Sequence, residues 1–269
     1  LLNFKAFRFF FLPDAAQRNV SVLAEPPSAA LEVNNTVKLV RGPCGDWLSR
    51  VRADVGAEKG MAHAGFAGNY PASCGEREWN VALLSHPDYV VGVFKRLWED
   101  MGGVWHGHVR EAAVPQDARL IATQESTSLA EIARDINKYS NNVMARQLYL
   151  TLSAELLGIP GRTDRSASVV KSWLEQKALG MPELVVENGS GLSREARISA
   201  GSLGQLLIAA FRSPVMPEFL ASLPLVAYDG TMRRRLKFEP IAGQAHIKTG
   251  SLTGVRSIAG YVLDRHGHR

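Results

Sequence analysis

The sequence predicts an α+β fold in which a block of helices packs on an antiparallel sheet. Three observations predict it. Residues 1–78 are strand-like or Gly-rich, residues 88–223 show helical periodicity with capping residues, and residues 245–263 read as a β-hairpin. The expected division is therefore a β-rich unit over 1–78 and a second domain over 79–269.

Composition narrows the function classes. A length of 269 residues suffices for one large domain or two ordinary ones. The hydrophobic share of 46% and charged share of 21% are those of a globular chain, and no apolar run reaches the length of a membrane span. A net charge of +5 suits an anionic setting: nucleic acid, a membrane surface or an acidic polymer. No zinc-finger spacing, Gly-rich phosphate loop or aromatic-basic RNA motif accompanies it, so nucleic acid is not the expected partner.

In chain order, Leu2 to Leu12 and Val20 to Leu23 are rich in aromatic and β-branched residues and read as strands. Two short runs, Leu31–Val33 and Thr36–Val40, flank Asn34-Asn35, a pair suited to a tight hairpin turn. Residues 44–78 read as irregular. They hold Cys44 and Cys74, which either form a disulfide, implying an oxidising compartment, or stay two reduced thiols.

Helical signals follow. Asp88 is placed to cap a helix carrying Val90, Val91, Phe94, Leu97, Trp98 and Met101 on one face, stopped at Gly102-Gly103. Trp98 and Trp105 are expected in the core. Ser128 and Glu131 form a capping box for a helix that runs out near Tyr139. Ser140-Asn141-Asn142 sits in the break before the next helix, Val143 to Leu157. Further helices are expected near 166–179, 199–213 and 218–223, with a Gly-rich loop at 188–194 between the first two.

The C-terminal hairpin carries Lys248-Thr249-Gly250-Ser251 on its first strand and turns at Thr253-Gly254. Pleating should place Lys248 and Gly250 on one face and Thr249 on the other. Gly250 leaves room for a ligand against the strand. An ammonium, a hydroxyl and an open strand edge suit an extended peptide ending in a carboxylate. Acyl transfer by a serine also needs a base, an oxyanion site and groups that hold the substrate. Ser140 and Asn142, at a bend between helices, are candidates to join Lys248 in that work.

Four ordered segments carry a resemblance. Ser140-Asn141-Asn142, Glu187 to Arg194, Asp229-Gly230-Thr231 with its arginines, and His246 to Leu252 resemble the D-alanyl-D-alanine carboxypeptidase/endopeptidase family. These are class C low-molecular-mass penicillin-binding proteins, serine peptidases of peptidoglycan. The resemblance covers nearly the whole chain. It implies a penicillin-binding-protein/β-lactamase-like transpeptidase domain, with residues 1–78 as part of a β-rich inserted domain. It also implies a periplasmic location, with peptidoglycan stem peptides as partners and β-lactams as partners of the full-length protein; no cofactor or metal is expected. Ser140 would take part in proton transfer, Asn142 would hold the substrate amide, and Lys248 would keep positive charge in the cleft. Thr249 would meet the terminal carboxylate beside Gly250, and the Ser251 N–H would supply half of an oxyanion hole.

One feature of that family departs. Its Ser-x-x-Lys nucleophile motif comes before the Ser-x-Asn motif, and nothing before Ser140 fits it. The one match, Ser168-Val169-Val170-Lys171, follows it within an amphipathic helix and reads as coincidence. The chain is therefore expected to be a fragment, incomplete at both ends and inactive alone. A non-catalytic peptide- or partner-binding domain of the same fold is the alternative. His106 with His108 and His266 with His268 lack a nearby third ligand and are expected at the surface, as are Arg233, Arg234 and Arg235.

Overall fold

The structure is a computed structural model and describes residues 2–108 and 110–267. It divides into two compact units, Leu1–Leu120 and Ile121–Arg269.

The first unit is a six-stranded sheet in the order β4-β5-β3-β2-β1-β6. Its strands are β1 (Ala6–Asp14), β2 (Asn19–Glu25), β3 (Leu31–Val40), β4 (Val51–Glu58), β5 (Met61–Pro71) and β6 (Arg77–Ala82). Along β1 the alternation puts Phe7, Phe9 and Phe11 on one face, each fully buried. Phe9 and Phe11 meet Phe66 of β5 at ring-centroid distances of 5.0 and 5.2 Å. Two strands lie between β1 and β5, so a flat sheet would hold them roughly 14 Å apart. The sheet must therefore curl until its inner faces meet, and the aromatic cluster fills the curl. Cys44 and Cys74 are joined by a disulfide that closes a 30-residue separation beside this core.

Several elements differ from those the sequence predicts. Residues 31–40 are one strand, with no turn at Asn34-Asn35. β3 pairs in parallel with β5 from Leu31↔Ala62 to Val40↔Pro71 without a break. Asn35 fits that strand because its amide nitrogen donates to the Val20 carbonyl at 2.6 Å and its oxygen accepts from the Val37 N–H at 3.1 Å. Residues 44–78, read as irregular, contain β4, β5 and the start of β6. Their inward positions include small residues, Ala62 and Ala64, which give little periodic signal. Gly68 has φ +110° and would place a side chain 2.5 Å from the Arg50 carbonyl, so close strand approach requires glycine there.

Helix α1 (His86–Asp100) belongs to this unit, which moves the boundary between units from the expected 78/79 to 120/121. Its N-cap is Ser85, whose hydroxyl accepts from the Asp88 N–H; Asp88 is already inside the first turn. The buried face is Tyr89, Gly92 and Val93. Gly92 lies against Ser28 and Ala30, and its carbonyl accepts from the Ala29 N–H at 2.9 Å. The expected stripe is turned outward instead, with Phe94 50% and Trp98 45% exposed. Trp98 and Trp105 pack on Phe94 rather than in the core.

The second unit holds α2 (Leu129–Tyr139), α3 (Asn142–Leu157), α4 (Thr163–Gln176), α5 (Ala200–Phe211), α6 (Met216–Ser222) and the antiparallel hairpin β7 (Ala245–Leu252) and β8 (Val255–Val262). Buried Ser153 and Ser166 share a hydrogen bond of 2.9 Å that locks α3 to α4. Tyr261 of β8 packs on Phe211 and Phe219, and its hydroxyl donates to the Leu207 carbonyl at 2.6 Å, seating the hairpin on α5 and α6. Among the described residues no helix is long and apolar enough to cross a membrane, and no group of three His, Cys, Asp or Glu side chains is placed to hold a metal ion. His106, His108 and His266 are exposed; His268 lies outside the described residues.

Replacing Cys44 and Cys74 by serine should remove about 3–4 kcal/mol from the first unit, the chain-entropy value for a loop of this size. Thermal unfolding should then show an earlier transition for Leu1–Leu120, with that of Ile121–Arg269 unmoved.

Candidate active site

The site starts from a helix that has to stop. α2 opens with the expected capping box: the Ser128 hydroxyl accepts from the Glu131 N–H, and the Glu131 carboxylate accepts from the Ser128 N–H. It closes at Ser140, whose φ of 55° and ψ of 47° lie in the left-handed region. Few residues other than glycine and asparagine take that conformation without support. Asn141 then caps α3, its side-chain oxygen accepting from the Met144 N–H at 3.0 Å. So Ser140, Asn141 and Asn142 are the end of one helix, the cap of the next and its first residue.

Across from this bend runs β7. The Lys248 ammonium donates to the Ser140 hydroxyl at 3.1 Å and to the Thr249 carbonyl at 2.8 Å. Residues 108 apart in sequence are thereby joined. Asn142 uses its amide nitrogen to donate to the Ser190 carbonyl at 2.6 Å. The 188–191 loop is shaped for this approach. The Asn188 side-chain oxygen accepts from both the N–H and the hydroxyl of Ser190. Gly189, at φ +69°, would put a side chain 2.4 Å from Tyr149. Ser193 serves only its own turn, donating to Glu187 and accepting from the N–H groups of Glu195 and Ala196.

Ser140, Asn142, Lys248, Thr249, Gly250 and Ser251 all line one cavity of about 660 Å³. One wall is apolar, built from Ile136, Leu203, Leu206, Leu207, Phe219 and Leu223. The strict face alternation expected of Lys248 and Thr249 does not keep them apart. The long Lys248 side chain folds back to the strand's own carbonyl, while the Thr249 hydroxyl faces that of Thr231 at 3.4 Å. Thr231 is a site residue with no role assigned from sequence; its signal was the Asp229-Gly230-Thr231 string. Arg233, Arg234 and Arg235 are all exposed, and Arg235 also lines the cavity. Ser168 is elsewhere: its hydroxyl bonds the Asp164 carbonyl within α4, and it lines a separate groove with Leu152 and Trp173. Cys44 and Cys74 lie in the other unit.

Burial pushes the Lys248 ammonium below the usual lysine range. The site is thus a half-buried cation touching a hydroxyl, with an amide and a second pair of hydroxyls around the same space. That set can hold an anionic group and pass a proton through Ser140.

Residues 46–269 match the profile of the D-Ala-D-Ala carboxypeptidase 3 (S13) family. The chain is 32% identical over 183 residues to a D-alanyl-D-alanine carboxypeptidase of Actinomadura sp. (strain R39), covering 65% of this chain and 34% of that protein. It is 25% identical over 190 residues to the D-alanyl-D-alanine carboxypeptidase DacB of Haemophilus influenzae, covering 70% of this chain and 40% of that one. The chain therefore spans between 34% and 40% of the length of these two relatives. Penicillin binding protein 4 (dacB) from Haemophilus influenzae, solved with a β-lactam, superposes with a TM-score of 0.70 at 20% identity, over 98% of this chain and 60% of that one. The fold is accordingly that of a penicillin-binding protein.

Two outcomes are expected. Gly189→Ala meets both a positive φ and the Tyr149 side chain, and should cost roughly 1–3 kcal/mol in urea denaturation. The second concerns pH. A lysine with a lowered pKa binds fewer protons folded than unfolded between its two values, so stability rises with pH across that window. The cost of holding the Lys248 charge is full below the folded value and fades towards the ordinary lysine value. Lys248→Met should therefore lack this alkaline rise in stability, measured by denaturation at a series of pH values.

Proposed function

The chain belongs to the D-Ala-D-Ala carboxypeptidase 3 (S13) family, and from that premise we propose that it supplies the binding and proton-transfer half of a serine D,D-peptidase of peptidoglycan, the nucleophile coming from a segment outside these residues. The observation that carries this reading is the 3.1 Å hydrogen bond from Lys248 to Ser140 inside the cavity. A hydroxyl that receives an ammonium hydrogen bond is set to give its own proton to a leaving amine as it is resupplied by the lysine or by the attacking serine. Burial keeps the lysine poised by weakening its hold on its own proton.

The other groups complete the roles. The Asn142 amide nitrogen is committed to Ser190, which leaves its carbonyl oxygen to accept the substrate's amide N–H. The adjacent Thr249 and Thr231 hydroxyls receive the terminal carboxylate of a D-Ala-D-Ala stem peptide or of a β-lactam. The Ser251 N–H serves as half of the oxyanion hole and the nucleophile's own N–H as the other half. Hydrolysis of D-Ala-D-Ala and of peptide cross-links are both within reach of this arrangement. The Cys44–Cys74 disulfide supports an oxidising compartment, the periplasm of a bacterium.

The test separates binding from acylation. Incubated with a β-lactam, this chain should show an unchanged intact mass. A peptide ending in D-Ala-D-Ala should shift the amide NMR signals of residues 140–142, 190 and 248–251. Lys248→Met should weaken that binding about tenfold, the loss of one charge-assisted hydrogen bond. A covalent adduct on Ser168, or a peptide that leaves those signals in place, would overturn the proposal.

A further inference from the structure

We propose that Lys138 and Asp229 are a positioning pair that holds the Ser140 and Thr231 hydroxyls against the Lys248-Thr249 strand. The Lys138 ammonium donates to the Asp229 carboxylate at 2.6 Å and to the Leu223 carbonyl at 2.8 Å. The second carboxylate oxygen of Asp229 accepts from the Leu225 N–H at 2.7 Å. The Lys138 side chain is only 12% exposed, with Asp229 at 44%. The Arg162–Asp164 pair, by contrast, leaves its partners 57% and 64% exposed. A cation withdrawn that far from water is tolerated only because it is paired and hydrogen-bonded.

The placement gives the pair its meaning. Lys138 precedes Ser140 by two residues, and Asp229 precedes Thr231 by two. The two backbones touch between them: Gly230, at φ +51°, would place a side chain 2.4 Å from the Lys138 carbonyl. Asn137 adds a second tie, donating to the buried Ser222 hydroxyl at 2.8 Å. So the last turn of α2 is clamped to the segment from Ser222 to Asp229. The side-chain contacts of Lys248 with Ser140 and of Thr249 with Thr231 are each made two residues past the clamp. Backbone bonds from the Val226 N–H to the Ala245 carbonyl and from the Ile247 N–H to the Pro224 carbonyl already seat the 224–226 stretch on β7, so the clamp's part is to hold the end of α2 and the Gly230–Thr231 turn to that seat. Neither Lys138 nor Asp229 is among the described residues lining the cavity, so the pair acts through its neighbours. The work given to the two hydroxyls rests on the peptidase reading; the pairing itself can be measured without turnover.

The experiment uses Lys138→Met, Asp229→Asn, their combination and Lys138→Arg in this chain. Two readouts report on geometry rather than stability: the 13C NMR titration of the Lys248 side chain, and amide hydrogen exchange at residues 140 and 232, whose N–H groups donate to the Ile136 and Asp229 carbonyls. Each single loss of charge should raise the Lys248 midpoint towards the ordinary lysine value as water reaches it. Exchange at both amides should speed up roughly tenfold. The combination should be no worse than either single change, and Lys138→Arg should keep most of the wild-type behaviour. Asp164→Asn, which breaks the exposed Arg162–Asp164 pair at the start of α4, should move neither readout. Variants that lose stability but leave the Lys248 titration and both exchange rates unchanged would make the pair a plain structural brace and overturn the proposal. Failure of the unsubstituted chain to bind a D-Ala-D-Ala peptide would strike the peptidase reading beneath it; loss of coupling in a chain that binds would strike the pair alone.

Discussion

The second unit depends on a hydrogen bond that crosses the cavity from a strand lysine to a serine held in a left-handed bend. The bend is costly for a residue with a side chain. It stands because the helix on each side is independently capped and because the Ser140 hydroxyl has a partner waiting in Lys248. A continuous helix through 140 would carry that hydroxyl around the helix surface and away from β7. The break is what turns two ordinary helices into one wall of a site.

The opposing wall is rigid for a different reason. Tyr261 ties β8 to α5, and the close packing of the two strands leaves no room for a side chain at Gly260. A Cβ there would lie 2.0 Å from the His246 backbone carbonyl. Lysine is held half-buried there at an electrostatic cost, which is the usual signature of a group kept for chemistry rather than for stability. The first unit works by another principle. Its strands are organised by an aromatic stripe, Phe7, Phe9 and Phe11, that forces the sheet to curl, with a disulfide beside the core.

Much of this is legible along the chain because capping and turn chemistry are local. Ser128 with Glu131, Ser199 before α5, and the Thr253-Gly254 turn declare element ends using residues only a few positions apart. The same local rules mislead where a neighbour outside the window decides. Asn34-Asn35 has turn chemistry, yet a parallel ladder to β5 and the Val20 carbonyl absorb it into a strand. Asp88 has cap chemistry, yet Ser85 takes the cap. The α1 stripe looks like a core face, yet the sheet takes the narrower face of Tyr89, Gly92 and Val93.

By itself, then, the sequence determined the α+β class, the helix break at Ser140-Asn141-Asn142, the Lys248-Thr249-Gly250 strand and the family that these motifs belong to. Those follow from short-range stereochemistry and from ordered strings of residues. Only the tertiary structure decided that Ser140 and Lys248 touch, that Thr231 joins Thr249, and that Lys138 is buried against Asp229. Contacts between residues far apart along the chain depend on how whole elements pack, and no periodicity or cap in a single segment encodes that.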